Sequence, residues 1–398
     1  MVQRRCLWLS AELPERPRNG GHVYSRGLRE GLAAAGVRVE VMGLGPDDGD
    51  EGVGVIRRAV PGGMRPWFGS VISPLPNLSY MPATSAYQLS VDVARREGGW
   101  DFVVVDHLQM AWVPKRWPEL GMAQGGVPLV FATQNHEESV RLAVAAGQSR
   151  RSPKGMILRA DARKAVASER RMVAAADLVT AITDADAAAF AAGSPDTAVV
   201  VLPPGYADPR VVPVPAAARS RRVAIVGSFD WHVKAANFRQ FVRAADPVFA
   251  AAGIRLSVVG RVPDSVAAEL GPLQATELLG WVDDLAAVLG DCRVAVVSEP
   301  DGGGFKMKAL DYLFHHVPLA VTLGSVEGID LADGRAVARA DDAESLARAI
   351  VTCIEDTDRL DAVAARAYRW AVDRFDWPST GVALAQAVED RFMARSTA

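Results

Sequence analysis

The sequence is poor in cysteine, with only Cys6, Cys292 and Cys353 among 398 residues. The three lie far apart in apolar segments, which argues against a disulfide framework and a cysteine metal site and favours a reducing compartment. No run approaches the roughly 18 apolar residues that a membrane span needs. The apolar run near the N-terminus is too short for a signal-peptide core. We therefore expect a cytoplasmic protein without a transmembrane segment.

An excess of charge of one sign is also missing, because 44 Lys and Arg stand against 47 Asp and Glu, a net charge of -3. That balance argues against a nucleic-acid partner. The chain does have 49% hydrophobic and 23% charged residues, a composition typical of a globular protein. Its length predicts two or three domains.

The N-terminal half alternates strand and helix patterns. Residues 6–11 form a short apolar run, residues 22–35 have helical spacing that Gly36 ends, and residues 37–44 read as a strand. This β-α-β pattern predicts a parallel sheet with ligands near the carboxyl ends of its strands. Further apolar runs extend the pattern at residues 101–107, 127–135, 176–183 and 198–205.

A second alternating series follows a segment rich in Pro, Ala and Arg. We predict a first domain over residues 1–207, a linker over 208–222, a second domain over 223–380, and a helix over 381–398 that returns to the first domain. The predicted fold class is α/β, with two doubly wound Rossmann-like domains facing across a cleft.

A glycine run, Gly302–Gly304, joins an apolar strand to a helical pattern. Its backbone N–H groups would suit an anion such as phosphate. Lys306 and Lys308 would stand in the first helical turn, where cations are unfavourable unless an anion binds. Asp311 would lie about 10 Å along the helix axis from Gly304, a spacing that suits a diphosphate and its ribose. The alternative is a plain glycine turn with a Lys308–Asp311 ion pair at the surface.

Standard nucleotide motifs are absent. The chain has no G-x-x-x-x-G-K-[ST] loop and no strand–GxGxxG–helix unit. The second absence removes support for a dinucleotide-dependent dehydrogenase.

Several stretches, in order along the chain, resemble the GT-B fold glycosyltransferases, specifically the retaining group often called family 4. In the C-terminal half they are VGSFDWHVKAAN (226–237), GWVDDLAAVL (280–289), GGGFKMKALDYLFHHVPLAVTLGSVEGI (302–329) and FDWPSTGVALAQAV (375–388). In the N-terminal half they are NGGHVYSRGLREGLAAAGVRVEV (19–41) and TQNHEESVRL (133–142).

The resemblance implies a donor site for a nucleotide sugar in the second domain and an acceptor site in the first. The resemblance implies that the diphosphate contacts the backbone of Gly303, Gly304 and Phe305 and the side chain of Lys306 or Lys308. It implies that Asp311 contacts the ribose, and that the backbone around Trp281 and Val282 contacts the base. Lys234 and Arg261 are further candidates for the diphosphate. Two positions depart from the family: its Glu-x7-Glu pair falls at Gly303 and Asp311, and a common arginine is Ser228.

Fewer residues stand out in the first domain. Gly20 and Gly21 would open a helix, where they bind the donor phosphate, shape the acceptor site, or simply form a tight turn. His136 and Glu137 follow an apolar strand and are the predicted catalytic residues, although strict spacing puts Gln134 at the family's histidine.

Other polar features have two interpretations each. Asp106 and His107 end a strand, where they contact the acceptor or cap the strand. Residues 150–171 are basic and partly helical, which fits an anionic membrane, a charged acceptor or a solvated helix face. The resemblance implies no metal.

Together these features predict a glycosyltransferase that moves a sugar from a nucleotide-diphosphate donor, UDP-linked, to an acceptor hydroxyl with retention. The acceptor class stays open among small molecules, glycans and lipid-linked molecules, in bacterial natural-product or glycan biosynthesis. No cofactor is expected, because the nucleotide sugar is a substrate. The alternatives are a non-catalytic subunit that binds nucleotide sugars and a nucleotide-sugar epimerase of the same fold.

Overall fold

A computed structural model describes residues 3–15, 19–45, 49–52, 54–146, 152–207, 210–300, 304–332 and 334–393. The chain divides into two compact units. The N-terminal unit is Met1–Ala207 together with Asp376–Ala398, and the C-terminal unit is Asp208–Phe375.

The N-terminal unit contains a mostly parallel sheet with helices around it. Its strands are β1 (Arg5–Glu12), β2 (Arg38–Leu44), β3 (Gly49–Gly52), β4 (Val55–Val60), β5 (Phe102–Asp106), β6 (Leu129–Ala132), β7 (Leu178–Ala181) and β8 (Ala198–Val201). Its first seven helices are α1 (Gly20–Ala34), α2 (Asn77–Tyr80), α3 (Ser85–Glu97), α4 (Val113–Arg116), α5 (Glu137–Ala146), α6 (Pro153–Ala175) and α7 (Asp184–Gly193). The strand order is β3-β4-β2-β1-β5-β6-β7-β8, and only the β3–β4 pair is antiparallel. Its central strands are apolar throughout because helices cover both faces of such a sheet.

The C-terminal unit repeats this architecture with a fully parallel sheet. Its strands are β9 (Ser220–Val226), β10 (Arg255–Val259), β11 (Thr276–Gly280), β12 (Cys292–Val297), β13 (Leu319–Thr322) and β14 (Ala336–Ala340). Its helices are α8 (His232–Ala252), α9 (Asp264–Leu270), α10 (Leu285–Asp291), α11 (Lys308–Phe314), α12 (Ala343–Cys353) and α13 (Thr357–Arg374). The strand order is β11-β10-β9-β12-β13-β14. Phe238, Phe241 and Phe249 of α8 are buried in its core.

Both sheets are doubly wound, as the alternating pattern predicts, so each unit is Rossmann-like. The direction of chain progress reverses between β1 and β5 in one sheet and between β9 and β12 in the other. Loops that leave the carboxyl ends of two such strands diverge and leave a crevice where ligands bind. Each unit is therefore expected to bind its ligand at its reversal point.

The last helix, α14 (Trp377–Met393), belongs to the N-terminal unit and packs on α1. It begins four residues before the position expected from sequence, because the Asp376 carboxylate accepts hydrogen bonds from the N–H and the hydroxyl of Ser379. Likewise, β9 begins at Ser220, inside the segment expected to be a linker. Among the described residues, no helix is long and apolar enough to cross a bilayer.

Candidate active site

The reversal point of the C-terminal unit holds a buried ion pair. Glu299 follows β12 and is 4% exposed, and its backbone N–H donates to Ser325 Oγ over 2.8 Å. Its carboxylate accepts a hydrogen bond from Lys308 Nζ. The lysine amine also lies 5.9 Å from the centre of the Phe229 ring, just beyond β9. Lys308 therefore bridges the ends of β9 and β12, where a doubly wound sheet places its ligand.

Three lysines act on this one carboxylate. Burial opposes ionisation of Glu299, but Lys308, then Lys306 and Lys234, outweigh it and hold the pKa of Glu299 below its usual value. Burial also lowers the pKa of Lys306 and of Lys308, and in both lysines Glu299 opposes that fall. Lys306 also interacts with Glu327, so three positive charges face two negative ones, Glu299 and Glu327, in a partly buried place. The net charge is therefore positive, and an anionic ligand would neutralise it.

The glycine loop contributes a backbone donor to the same region. Gly304 has φ 72°, a left-handed conformation that glycine adopts without strain. Its N–H donates to the Glu327 carboxylate over 2.9 Å, and its carbonyl accepts from Lys306 Nζ over 3.2 Å. Phe305 forms an isolated bridge with Glu327. The Gly304 amide therefore already contacts an anionic oxygen, whereas the predicted Gly303 lies outside the described residues.

Helix α11 begins at Lys308, so Lys306 precedes the helix rather than standing in its first turn. Lys308 is largely buried and pairs with Glu299. The alternative interpretation, a surface Lys308–Asp311 ion pair, is therefore wrong about where Lys308 lies. Asp311 is half-buried in the first turn of α11, and its contact with a ribose stays a prediction.

The other predicted donor residues follow neighbouring strands or begin the next helix. Lys234 lies in the first turn of α8 and is half-buried. Arg261 follows β10, and its Nε lies 3.3 Å from an Asp230 oxygen. Ser228, at the position of the family's arginine, donates to the same carboxylate. Asp230 thus neutralises part of the charge that Arg261 would offer a diphosphate.

Trp281 and Val282 stand just beyond β11. Trp281 is largely exposed, and Val282 is half-buried. Their predicted contact with the base stays a prediction.

The reversal point of the N-terminal unit is organised around Asp106, the last residue of β5. Its carboxylate accepts hydrogen bonds from Trp8 Nε1 at 3.0 Å, Ser10 Oγ at 2.6 Å and Ser25 Oγ at 2.9 Å, and Arg29 lies 3.8 Å away. A pocket of about 150 Å³ opens beside it, with Ser10, Ser25 and Asp106 among its lining residues. Asp106 therefore shapes a polar pocket by fixing its walls.

Gly20 and Gly21 open α1 beside this pocket. The Asn19 side chain caps the helix by accepting from the His22 N–H. A Cβ at Gly21 would stand 2.3 Å from the Gln134 side-chain oxygen, so this position requires glycine unless Gln134 moves. Gln134 in turn donates to Ser25 Oγ over 3.0 Å. The Gly21 backbone thus borders the pocket through Gln134.

Glu137, a predicted catalytic residue, is 3% exposed and its carboxylate has three partners. Its Oε1 lies 3.1 Å from His107 Nε2 and accepts from Asn135 Nδ2 over 3.3 Å, and its Oε2 accepts from Arg141 Nε over 2.6 Å. Burial opposes its ionisation, but the hydrogen bond with His107 and the charge of Arg141 hold the pKa of Glu137 well below the usual range. Such a carboxylate orients its neighbours and is poorly suited to proton transfer near neutral pH.

The ring of His136 has a polar and an aromatic partner, whereas one ring nitrogen of His107 lacks a hydrogen-bond partner among the described residues. His136 Nδ1 lies 2.7 Å from Ser139 Oγ, its ring packs edge-on against Phe190, and burial lowers its pKa. His107 has φ 65°, which is rare for a residue with a side chain. Its Nδ1 is buried without a hydrogen-bond partner among the described residues. A strained backbone and an unsatisfied ring nitrogen are features of functional positions, so His107 joins His136 as a candidate.

Glu169 of α6 holds the beginning of α5. Its carboxylate accepts from the backbone N–H groups of Glu137 at 2.8 Å and Glu138 at 2.7 Å. With His136 and Glu138 it forms a group whose potential metal-ligand atoms lie within 4.8 Å of one another. Arg170 donates to Glu138 over 2.9 Å, so capping and ion pairing account for this group. The absence of a functional metal stays a prediction.

Replacing Glu169 by glutamine should remove a loss of folding stability that occurs as pH rises. Burial raises the pKa of Glu169 to about 7, against about 4.3 when unfolded. The folded state therefore loses stability as pH rises between these values and loses no more above them. We expect Glu169→Gln to become more stable than the wild type over this range, by about 3–4 kcal/mol near pH 8. Urea unfolding at a series of pH values measures the difference.

Glu138→Gln is the control of opposite sign. The hydrogen bond from Arg170 lowers the pKa of Glu138, so its contribution is present above about pH 4.3 and fades as pH falls. This variant should lose stability at neutral pH relative to the wild type. A flat difference curve for Glu169→Gln would contradict the buried-carboxylate interpretation.

Two family descriptions match the chain. Residues 19–205 match "Glycosyl transferase 4-like domain", and residues 220–356 match "Glycosyl transferases group 1". No curated protein sequence matches it significantly.

Solved structures share the fold over nearly the whole chain. Sucrose-phosphate synthase from Thermosynechococcus elongatus is 18% identical with a TM-score of 0.73, over 98% of this chain and 100% of that one. Anabaena HepE in complex with UDP and glucose is 17% identical with a TM-score of 0.61, over 96% and 99%. The α,α-trehalose 6-phosphate synthase of Burkholderia multivorans is 13% identical with a TM-score of 0.64, over 99% and 98%.

The two Rossmann-like units and the similar solved structures show the GT-B fold. With both family matches, the chain belongs to the GT-B glycosyltransferases similar to family 4.

Proposed function

We propose that this glycosyltransferase moves a sugar from a UDP-linked donor to an acceptor hydroxyl with retention of anomeric configuration, in bacterial glycan or natural-product biosynthesis. The observation that carries the proposal is the buried Lys308–Glu299 pair at the strand-reversal point, with the charges of Lys306 and Lys234 also acting on the Glu299 carboxylate. The excess positive charge at a strand-reversal point suits a diphosphate. The bound UDP and glucose of the similar Anabaena HepE support the choice of UDP and a hexose.

In this proposal the site acts on the leaving group. As the bond between the anomeric carbon and the diphosphate oxygen breaks, negative charge grows on the diphosphate and positive charge on the sugar ring. The lysines and the Gly304 amide are fixed before the reaction, so they stabilise the leaving group without reorganising. The acceptor oxygen then bonds to the anomeric carbon, and its proton passes to the departing phosphate oxygen. No protein nucleophile is required in this scheme.

The remaining donor contacts are assigned by position. Asp311 would hold the ribose hydroxyls, and the backbone of Trp281 and Val282 would contact the base. The Gly304 N–H donates to the Glu327 carboxylate in the structure. A bound donor phosphate would displace that carboxylate or share the N–H with it. The Asp106 pocket in the N-terminal unit is the candidate acceptor site.

A donor and acceptor screen tests the proposal. The full chain is incubated with UDP-, GDP-, ADP- and dTDP-linked sugars and an acceptor panel, and products are identified by mass spectrometry. The proposal requires release of UDP that depends on acceptor, and a product whose NMR coupling shows the donor's anomeric configuration. Sugar interconversion without acceptor would indicate an epimerase, and UDP binding without turnover over the whole panel would indicate a non-catalytic subunit.

A further inference from the structure

An exposed apolar cluster lies on the short 3-10 turn Trp67–Val71 of the N-terminal unit. Trp67 is 57% exposed, Phe68 64% and Ile72 93%, and Val71 is exposed beside them. The two aromatic rings contact each other edge-on, with centroids 6.5 Å apart. Four consecutive or nearly consecutive large apolar side chains at the surface are unusual for a protein whose surface meets only water.

Helix α6 holds this turn through hydrogen bonds to its backbone. Lys164 of α6 donates to the carbonyls of Ser70 at 2.8 Å and Val71 at 3.1 Å. Asp161, one turn earlier in α6, accepts from the Asn77 N–H over 2.6 Å. The apolar side chains therefore stand out from a turn that Lys164 fixes to α6, while Asp161 holds the beginning of α2 just after it.

The first turns of α6 add further apolar and basic side chains to this side of the unit. Met156 is 63% exposed, and Ile157 is exposed beside it. Helical spacing places Ile157 on the same stripe as Lys164, which contacts the turn. Lys154 and Arg163 are exposed as well.

Basic residues outnumber acidic ones in both segments. Residues 61–75 contain Arg65 and no acid, and residues 153–168 contain four basic residues and one acid, Asp161. That acid is already engaged by the Asn77 N–H. The surface is therefore apolar at its tip and cationic around it.

We propose that these residues form a docking face for an anionic lipid surface, named here the lipid-docking face: Trp67, Phe68, Val71, Ile72, Met156 and Ile157, with Lys154 and Arg163. Aromatic and aliphatic side chains enter the interface between headgroups and acyl chains, and neighbouring basic side chains are drawn to anionic headgroups. The excess of basic over acidic residues in both segments favours an anionic lipid surface over a protein partner.

The inference does not rest on the proposed function, because vesicle binding needs neither donor nor acceptor. The full chain is titrated with vesicles of pure phosphatidylcholine and of phosphatidylcholine with phosphatidylglycerol, and bound protein is measured by flotation. We expect binding to the anionic vesicles to be at least tenfold tighter than to the neutral ones and to weaken as salt is raised.

Two variants and one control separate the contributions. Trp67→Ser/Phe68→Ser/Ile72→Ser should weaken binding to anionic vesicles at least tenfold. Lys154→Glu/Arg163→Glu should remove the preference for anionic over neutral vesicles. Val212→Ser/Val382→Ser removes two exposed valines outside the face, and this control should bind like the wild type. Circular dichroism checks that each variant folds.

Three outcomes would overturn the inference. One is wild-type protein that binds neither vesicle or both equally well. Another is the triple variant binding like the valine control. The third is a wild-type dimer in light scattering that the triple variant abolishes while vesicle binding is absent, which would assign the face to a second copy of the chain.

Discussion

Lys308→Ala is expected to destabilise the C-terminal unit by about 3–5 kcal/mol, the usual cost of removing one partner of a buried ion pair. The reason is Glu299, which is 4% exposed and takes a hydrogen bond from the lysine amine. Without Lys308 the carboxylate must stay charged with less compensation or take up a proton, and both raise the free energy of the folded state. Loss of donor binding should accompany this loss, so binding data on the single variant alone would be ambiguous.

A double replacement separates folding from binding. Glu299→Gln/Lys308→Met removes both charges at once, so it should recover most of the unfolding free energy that Lys308→Ala loses. It should not recover affinity for UDP, because the net charge of the site is unchanged but the Lys308 amine that would bind the diphosphate is gone. Urea unfolding and calorimetric titration with UDP measure the two properties on the same samples.

Arg348→Ala serves as the comparison within the same unit. Arg348 pairs with Glu344 at the helix surface, where both side chains are largely exposed. Such pairs contribute about 0.3–0.5 kcal/mol. If Lys308→Ala were as mild as this surface variant, the Glu299–Lys308 pair would not be the buried, structural contact described here.

Most of the fold could be predicted from sequence because its central strands are continuous apolar runs. Val103, Val104 and Val105 are fully buried in β5, and the runs of β1, β9 and β12 are similar. The strands without such a signal lie at the edge of a sheet or next to its edge strand. Strand β4 contains Arg57 and Arg58 and is half-buried, and β14 contains one arginine in a five-residue strand. Edge strands meet solvent, so their composition does not distinguish them from loops.

The site was only partly predictable for a related reason. Lys306 and Lys308 stood out because two cations follow a glycine run, but their partner acids did not. Glu299 precedes the loop, and Glu327 lies 23 residues beyond Gly304, so only the folded chain brings them together. One signal was available for Glu299: a lysine that lies on the buried side of a helix requires a nearby carboxylate. His107 gave no sequence signal of its strained backbone.

Lys306→Ala is expected to weaken UDP binding by about 10- to 100-fold, since a hydrogen bond to a charged group contributes roughly 1.5–3 kcal/mol. Folding should be much less affected than in Lys308→Ala, because Lys306 lies outside α11 and its amine donates to a backbone carbonyl, that of Gly304, at 3.2 Å. Lys306→Arg keeps the positive charge and should retain most of the affinity. Calorimetric titration of the three proteins with UDP measures the effect.

The pH dependence of binding gives this prediction a second, independent measurement. Burial lowers the pKa of Lys306 below that of an ordinary lysine, so the unliganded amine begins to lose its proton at a lower pH. A bound diphosphate favours the charged form, and UDP affinity should therefore fall as pH rises from 7 towards 9. Arginine stays charged over this range, so the fall should be shallower in Lys306→Arg. Equal slopes in the two proteins, together with unchanged affinity in Lys306→Ala, would remove Lys306 from the donor site and leave Lys234 and Lys308 as its cations.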